Sequence, residues 1–178
     1  MSGARSRGLA LVAALASVCL SRGALAQAVP DFGLPHRDNG QSVHLSDFSG
    51  QIVLLDFFAY WCAQCRAASK ALEADVQEFF AARDGNPQGI PVRVVSINIE
   101  KTHPESTDQF IASTGMSLVL DDFSGSVLKH FGAVGIPYLV FIDGSRSRSD
   151  SPAFRVVYTH CGPLSTQVSY THCLIDSL

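Results

Sequence analysis

Basic residues are scarce in this chain and form no cluster. Of its 178 residues, 13 are Lys or Arg and 16 are Asp or Glu, so the formal net charge is −3. Proteins that bind nucleic acids carry a basic stripe, commonly interleaved with aromatic side chains that stack on bases. The sequence has no such stripe, and we expect no nucleic-acid partner.

The sequence also lacks a long apolar run that would favour a membrane span. The run at residues 9–20 follows Arg5 and Arg7 and is too short and too poorly flanked for a transmembrane helix. Ala24 and Ala26 place small residues at positions −3 and −1 of a cleavage site. The pattern predicts a cleaved signal peptide over residues 1–26, with an uncleaved membrane anchor as the alternative.

Export would leave residues 27–178 as one domain in the periplasm. Three of the 13 basic residues and none of the 16 acidic ones lie in residues 1–26, so the exported chain has a formal charge of −6. Four cysteines remain, namely Cys62, Cys65, Cys161 and Cys173. An oxidising compartment makes disulfide chemistry available to all of them.

Two cysteines follow an apolar segment of the exported chain. Residues 52–58 are β-branched and aromatic, which predicts a strand buried on both faces. An apolar stripe formed by Leu72, Val76, Phe79 and Phe80 predicts a helix over residues 63–83. Cys62 therefore falls at the N-terminus of this helix, where free N–H groups and the helix dipole stabilise a thiolate.

The surroundings of Cys62 and Cys65 exclude most other uses of a C-x-x-C pair. Haem attachment requires His directly after the second cysteine, where this chain has Arg66, and a zinc ribbon requires a second cysteine knuckle. A purely structural disulfide would gain little from closing so short a ring. The pattern indicates a redox site in which Cys62 is the nucleophile and Cys65 resolves the mixed disulfide.

The remaining patterns predict alternating strands and helices. Asp38-Asn-Gly40 indicates a hairpin between residues 32–34 and 42–45. Further strands are predicted at residues 92–99, 118–120, 138–142 and 154–158, helices at 105–114 and 126–131, and an exposed loop at 144–152. A final helix runs from a cap at Ser165 toward Leu178. Strand, helix and strand in succession imply a right-handed parallel crossover.

Over roughly residues 29–178 the chain resembles the thioredoxin-like family, and within it the exported TlpA/ResA-type thiol-disulfide oxidoreductases, which are related to the AhpC/TSA redoxins. The segments that carry the resemblance are 45–50, 56–65, 94–98, 135–143 and 157–164. The resemblance implies an α/β thioredoxin-like fold with a central mixed β-sheet flanked by helices. The predicted hairpin would be an N-terminal extension of that fold.

The resemblance also implies a cis-proline loop facing the cysteines, with Pro137 in the cis-proline position. A cis bond would turn the Ile136 backbone outward to pair with an extended substrate peptide. A trans-proline that simply opens a strand is the alternative. Trp61, the only tryptophan, is expected to shield the disulfide and contact partners, or else to serve only in packing.

Asp56 stands six residues before Cys62, where thioredoxin itself has a carboxylate and TlpA/ResA-type proteins often have Asn. Burial would raise its pKa and let it take the proton of Cys65. A hydrogen-bonded core residue is the alternative. Glu100 is a second candidate carboxylate, because ResA-type relatives have a functional Glu near this point. The position of Glu100 differs by one residue from that of the functional Glu in these relatives. Glu105 matches that position less well.

Cys161 and Cys173 depart from the family pattern. Three uses remain open: a second disulfide between the last strand and the last helix, which we favour, a pair of free buried thiols, or a metal site completed by His160 and His172.

The sequence therefore predicts a monomeric enzyme that exchanges thiols and disulfides with exported proteins and requires neither cofactor nor metal. The family resemblance favours a reductant that a membrane electron donor renews, acting in cytochrome c or copper-site maturation. One alternative is a copper metallochaperone that uses Cys62, Cys65 and a histidine. The other is a peroxiredoxin-like peroxidase, whose Thr-x-x-Cys motif is missing because Ala59 precedes Cys62 by three residues.

Overall fold

The computed structural model describes residues 28–147, 153–162 and 168–178. The predicted signal peptide and the predicted cap at Ser165 lie outside these ranges. None of the helices within them is long and apolar enough to cross a membrane.

Seven strands and five α-helices are assigned along the described ranges. The strands are β1 (Gly33–Pro35), β2 (Ser42–His44), β3 (Ile52–Phe58), β4 (Val92–Asn98), β5 (Val119–Asp121), β6 (Tyr138–Asp143) and β7 (Arg155–Cys161). The helices are α1 (Ala63–Leu72), α2 (Phe79–Ala81), α3 (Pro104–Thr114), α4 (Ser126–His130) and α5 (Val168–Asp176). A π-helical segment (Glu73–Glu78) joins α1 to α2.

Five of the strands form one mixed sheet in the order β5-β4-β3-β6-β7. β4 runs parallel to both β3 and β5, whereas β6 runs antiparallel to both β3 and β7. β1 and β2 form a separate antiparallel hairpin. The predicted thioredoxin-like fold, with its mixed sheet, flanking helices and N-terminal hairpin, is confirmed.

β3 is the centre of the molecule, and all seven of its residues are buried. Because side chains alternate along a strand, Val53, Leu55 and Phe57 face one side of the sheet and Ile52, Leu54 and Asp56 face the other. The first side packs against the hairpin and α4, through Leu34 and Val127 among others. The second side packs against α1, the π-helical segment and α5, through residues such as Ala68, Val76 and Ile175.

The hairpin is fixed to the outer edge of the sheet by Arg37. Its backbone N–H donates to the Val119 carbonyl at 2.9 Å, and its guanidinium pairs with Asp108 at 2.8 Å and Asp121 at 3.1 Å. The hairpin thereby covers part of the exposed edge of β5, which would otherwise offer unpaired backbone groups.

Two predicted boundaries were wrong in a way that matters for the site. The helix predicted over residues 63–83 is interrupted by the π-helical segment and ends at Ala81. The strand predicted over residues 154–158 continues to Cys161, and its pairing with β6 contains an irregularity between Phe141 and Ile142. This irregularity sets which side chains of β7 face each side of the sheet.

Candidate active site

Cys62 and Cys65 lie where the central strand passes into the first helix. β3 ends at Phe58 and α1 begins at Ala63, with Cys62 as its N-cap. The two sulfurs are joined in a disulfide of 2.08 Å, and the Cys62 sulfur accepts a hydrogen bond from the Cys65 backbone N–H at 3.1 Å. Both cysteines pack against Phe58 and Phe110 in a small apolar cluster.

The two cysteines differ in access. Cys62 keeps 8% of its surface exposed, whereas Cys65 is fully buried. An incoming thiol therefore reaches the Cys62 sulfur first. The N–H groups of the first helical turn, which include the one from Cys65, stabilise negative charge on that sulfur.

The loop before β6 faces this pair of cysteines. The Ile136–Pro137 peptide bond is cis, and the Ile136 side chain packs against the apolar cluster that holds Cys62 and Cys65. The Pro137 carbonyl accepts a hydrogen bond from Gly162 N–H at 3.0 Å, which ties the loop to the end of β7. Val134, in the same loop, is 93% exposed.

Trp61 stands beside Cys62 and is 59% exposed. Its indole N–H donates to Glu100 Oε2 at 3.1 Å. Glu100 Oε1 accepts from the hydroxyl and the backbone N–H of Thr102, and these bonds, together with the one from Trp61, lower the Glu100 pKa to about 2. Glu100 therefore stays ionised at neutral pH and orients Trp61, which makes it a poor proton acceptor.

Asp56 lies on β3 on the sheet face that α1 covers, and it is fully buried. Its Oδ2 accepts a hydrogen bond from Ser69 Oγ at 2.6 Å. Burial raises the Asp56 pKa to about 7, and the bond from Ser69 opposes part of that rise. A carboxyl group with this pKa can take up and release a proton near neutral pH.

Ser69 connects this carboxyl to the cysteines, and the sequence interpretation missed it. It lies four residues after Cys65 on α1, so the two side chains share one face of the helix. The signal was available in the sequence, because a polar residue at this spacing on an otherwise apolar face requires a buried partner.

The predicted second disulfide is not present in the structure, because Cys161 and Cys173 are both free thiols. Cys161 lies opposite Tyr138, whose side chain belongs to the α4 side of the sheet, whereas Cys173 lies on α5, which covers the other side. The sheet therefore separates the two sulfurs. Both thiols are exposed, so the alternative of buried thiols was also wrong.

The metal-site alternative placed His160 and His172 with these two thiols. His160 and Cys161 are neighbours on a strand, so they face opposite sides of the sheet. The His172 ring packs on Phe79 and Phe80. Within residues 28–147, 153–162 and 168–178, no group of three or more His, Cys, Asp or Glu side chains could hold a metal ion.

A family model matches the part of the chain that contains this site. The model of the AhpC/TSA family matches residues 25–147, which is more than half of the chain. The match includes Asp56, both cysteines of the disulfide and Pro137. It ends before β7 and therefore does not reach His160, Cys161 or Cys173.

Individual proteins resemble the chain over similar ranges. "Probable nucleoredoxin 3" of Oryza sativa subsp. japonica is 30% identical over 115 residues, which are 63% of this chain but 23% of that protein. A Chlorobium tepidum structure described as a thiol:disulfide interchange protein DsbE is 26% identical with a TM-score of 0.68, covering 85% of this chain and 95% of that one. The exposed lipoprotein thioredoxin Etrx1 of Streptococcus pneumoniae is 26% identical with a TM-score of 0.56, covering 84% and 100%.

Proposed function

Since the chain belongs to the AhpC/TSA family and is a thiol-disulfide oxidoreductase, we propose that it reduces disulfides in exported partner proteins. The observation that carries the proposal is the asymmetric disulfide at the start of α1. Cys62 retains access to solvent, Cys65 is enclosed, and a carboxyl group with a pKa of about 7 lies on the same side of the sheet.

The reduced enzyme begins a cycle with the Cys62 thiolate. It attacks one sulfur of the partner's disulfide, a mixed disulfide forms, and the second partner sulfur leaves as a thiolate that takes a proton from water. Cys65 then gives its proton to Asp56 and attacks the Cys62 sulfur. The partner leaves as a dithiol, two electrons have passed to it, and the enzyme holds the Cys62–Cys65 disulfide.

The partner is held by the surface around Cys62. An extended peptide can pair with the backbone of Ile136, whose side chain packs against the cluster that holds Cys62 and Cys65. Trp61, next to Cys62 in the chain, is 59% exposed and offers the partner an apolar surface. This arrangement suits an unfolded or locally extended segment with an apolar side chain near its cysteine.

A membrane electron donor that presents a dithiol would renew the enzyme after each cycle. The same exchange run in reverse reduces the Cys62–Cys65 disulfide and oxidises the donor. Cytochrome c maturation and copper-site assembly both require reduced thiols on exported proteins, and they are the processes that we propose this activity serves.

Export is proposed from the predicted signal peptide. N-terminal sequencing of the mature protein should begin at Gln27. Recovery of a membrane-bound chain that still contains residues 9–20 would instead support the uncleaved anchor.

The direction of electron flow is tested by trapping thiols in intact cells with an alkylating reagent. A variant with both Cys161→Ser and Cys173→Ser restricts the mass shift to Cys62 and Cys65. A reductant should be recovered mostly as the doubly alkylated dithiol, although its compartment is oxidising. Recovery mostly as the unmodified disulfide would show that the protein oxidises its partners.

A further inference from the structure

Two buried polar atoms have no hydrogen-bond partner within the described part of the chain. They are Oδ1 of Asp56 and Nε2 of His160. Buried polar atoms normally have partners, because an unpaired one bears the full cost of leaving water. Two such atoms therefore require an explanation.

The two side chains lie in one row of the sheet. Asp56 on β3 is paired with Leu139 on β6, and Leu139 is paired with His160 on β7. Side chains that are directly opposite in a ladder point to the same face, so Asp56 and His160 both face α1 and α5. Two steps of the ladder separate their Cα atoms by about 10 Å.

The two groups differ in their contact with solvent. Asp56 is fully buried between the sheet and α1. His160 is half-buried on the outermost strand, and its ring stacks on Tyr158 at 6.4 Å between centroids. His160 therefore has a buried Nε2, while the residue as a whole keeps some contact with solvent.

We propose that His160 relays protons between Asp56 and solvent. The proposal rests on the proposed role of Asp56 as the acceptor of the Cys65 proton. Asp56 takes that proton as the mixed disulfide resolves, and it must release the proton before the next cycle. His160 Nε2 accepts the proton, and the imidazolium then loses one proton to water from its exposed side.

Leu139 lies between the two residues in this row, so a proton that passes between the two free atoms would have to be carried by water bound between them. Buried waters commonly satisfy such otherwise unpaired groups. Other titratable or charged side chains on this face, or on the helical elements packed against it, are the buried Glu73 and Asp143 and the more exposed Arg155, Tyr158, Tyr170 and His172. Of these, Tyr158 contacts the His160 ring.

The test is the pH-rate profile for reduction of a disulfide-bonded model peptide. Wild type is compared with His160→Gln, Asp56→Asn and the double variant. His130→Gln is the matched control, because His130 lies on α4, on the opposite side of the sheet.

Without the imidazole, the proton of Asp56 has no acceptor on its way to solvent, so Asp56 is still protonated when the next mixed disulfide forms. The rising limb of the His160→Gln profile should therefore move to higher pH, and its rate at pH 7 should fall roughly three- to tenfold. At pH 9 the rate should match wild type. In the Asp56→Asn background, His160→Gln should cause no further loss.

A His160→Gln profile that superimposes on the wild-type profile would overturn the relay. An equal loss in the Asp56→Asn background, or the same loss in His130→Gln, would also overturn it. If Asp56→Asn itself has no effect, the proposed role of Asp56 fails, and that outcome is distinct from failure of His160 alone.

A second measurement needs no substitution at His160. In the oxidised wild-type protein, where Cys62 and Cys65 do not titrate, the carbon-13 signal of the Asp56 carboxyl should titrate in two steps, since coupled groups share their titration. A single step would contradict the coupling, whether or not His160→Gln folds.

Discussion

Ser69 Oγ donates a 2.6 Å hydrogen bond to Asp56 Oδ2, and this bond joins the buried carboxyl to the helix that carries both cysteines. It fixes the position of Asp56 relative to Cys65, because Ser69 lies one helical turn further along the same face. It also restrains the effect of burial, since a bond to the charged form lowers the pKa of Asp56. The site thus holds a carboxyl group whose proton leaves near neutral pH.

Replacing Asp56 by Asn should slow resolution of the mixed disulfide. The amide keeps the shape and a hydrogen-bonding group but cannot take the Cys65 proton. The loss should be roughly tenfold or more, and largest between about pH 7, where Asp56 ionises, and about pH 8.5, where a cysteine ionises unaided. Reduction rates for wild type and Asp56→Asn across pH 5.5–9.5 measure it. Asp75→Asn, at an exposed carboxyl in the π-helical segment after α1, is the control. A constant ratio near one would make Asp56 purely structural.

The same substitution should stabilise the oxidised protein at high pH. The Asp56 pKa is about 7 in the folded protein and about 3.9 in an unfolded chain, so the folded state binds this proton more tightly. The free energy of unfolding of wild type therefore falls as the pH rises between these values. That of Asp56→Asn does not, because the amide does not ionise. The advantage should be absent below about pH 4 and reach at most roughly 4 kcal/mol above pH 7, at 1.36 kcal/mol for each pH unit between the two pKa values. Denaturant unfolding at several pH values would contradict this if the difference were independent of pH.

Glu100→Gln should leave the pH-rate profile where it is in wild type. The hydrogen bonds from Thr102 and Trp61 hold the pKa of Glu100 near 2, so its charge does not change in the neutral range. Its contribution is to orient Trp61, and an amide oxygen can still accept the indole N–H. The profile is measured beside that of Asp56→Asn. If the rising limb of the Glu100→Gln pH-rate profile shifted, Glu100 would again be a candidate proton acceptor.

Cys161 and Cys173 should count as two free thiols in the oxidised mature protein, because both are exposed and lie on opposite sides of the sheet. A colorimetric thiol reagent should titrate both without denaturant, and four thiols should be found after reduction. Cys161→Ser should leave one. A count of zero in the denatured, unreduced protein would restore the second disulfide.

Much of the architecture follows from local sequence signals. The buried strand β3, the hairpin around Asp38-Asn-Gly40 and the N-terminal position of Cys62 on α1 each depend on patterns within about ten residues, and all three are found in the structure. Gly115, which directly follows the helix predicted over residues 105–114, adopts the left-handed conformation that favours a helix end. The cis bond at Pro137 was expected from family resemblance alone, since no local pattern specifies it.

The features that were missed depend on how distant segments pair. Which side of the sheet Cys161 faces is set by the register of β7 against β6, and a slip of one residue would reverse it. The irregularity between Phe141 and Ile142 is such a shift, and no local sequence pattern predicts it. The same pairing places His160 in the row of Asp56, although 104 positions separate the two residues in the chain.

The central claim is that Cys62 attacks the partner's disulfide and Cys65 resolves the product. Reduced Cys65→Ser, incubated with an oxidised model peptide and digested, should yield a peptide adduct on Cys62 by mass spectrometry, because Cys62 alone of the pair has exposed surface and the resolving thiol is gone. Cys62→Ser should yield no adduct on Cys65. Adducts found on Cys65, Cys161 or Cys173 but not on Cys62 would contradict the account.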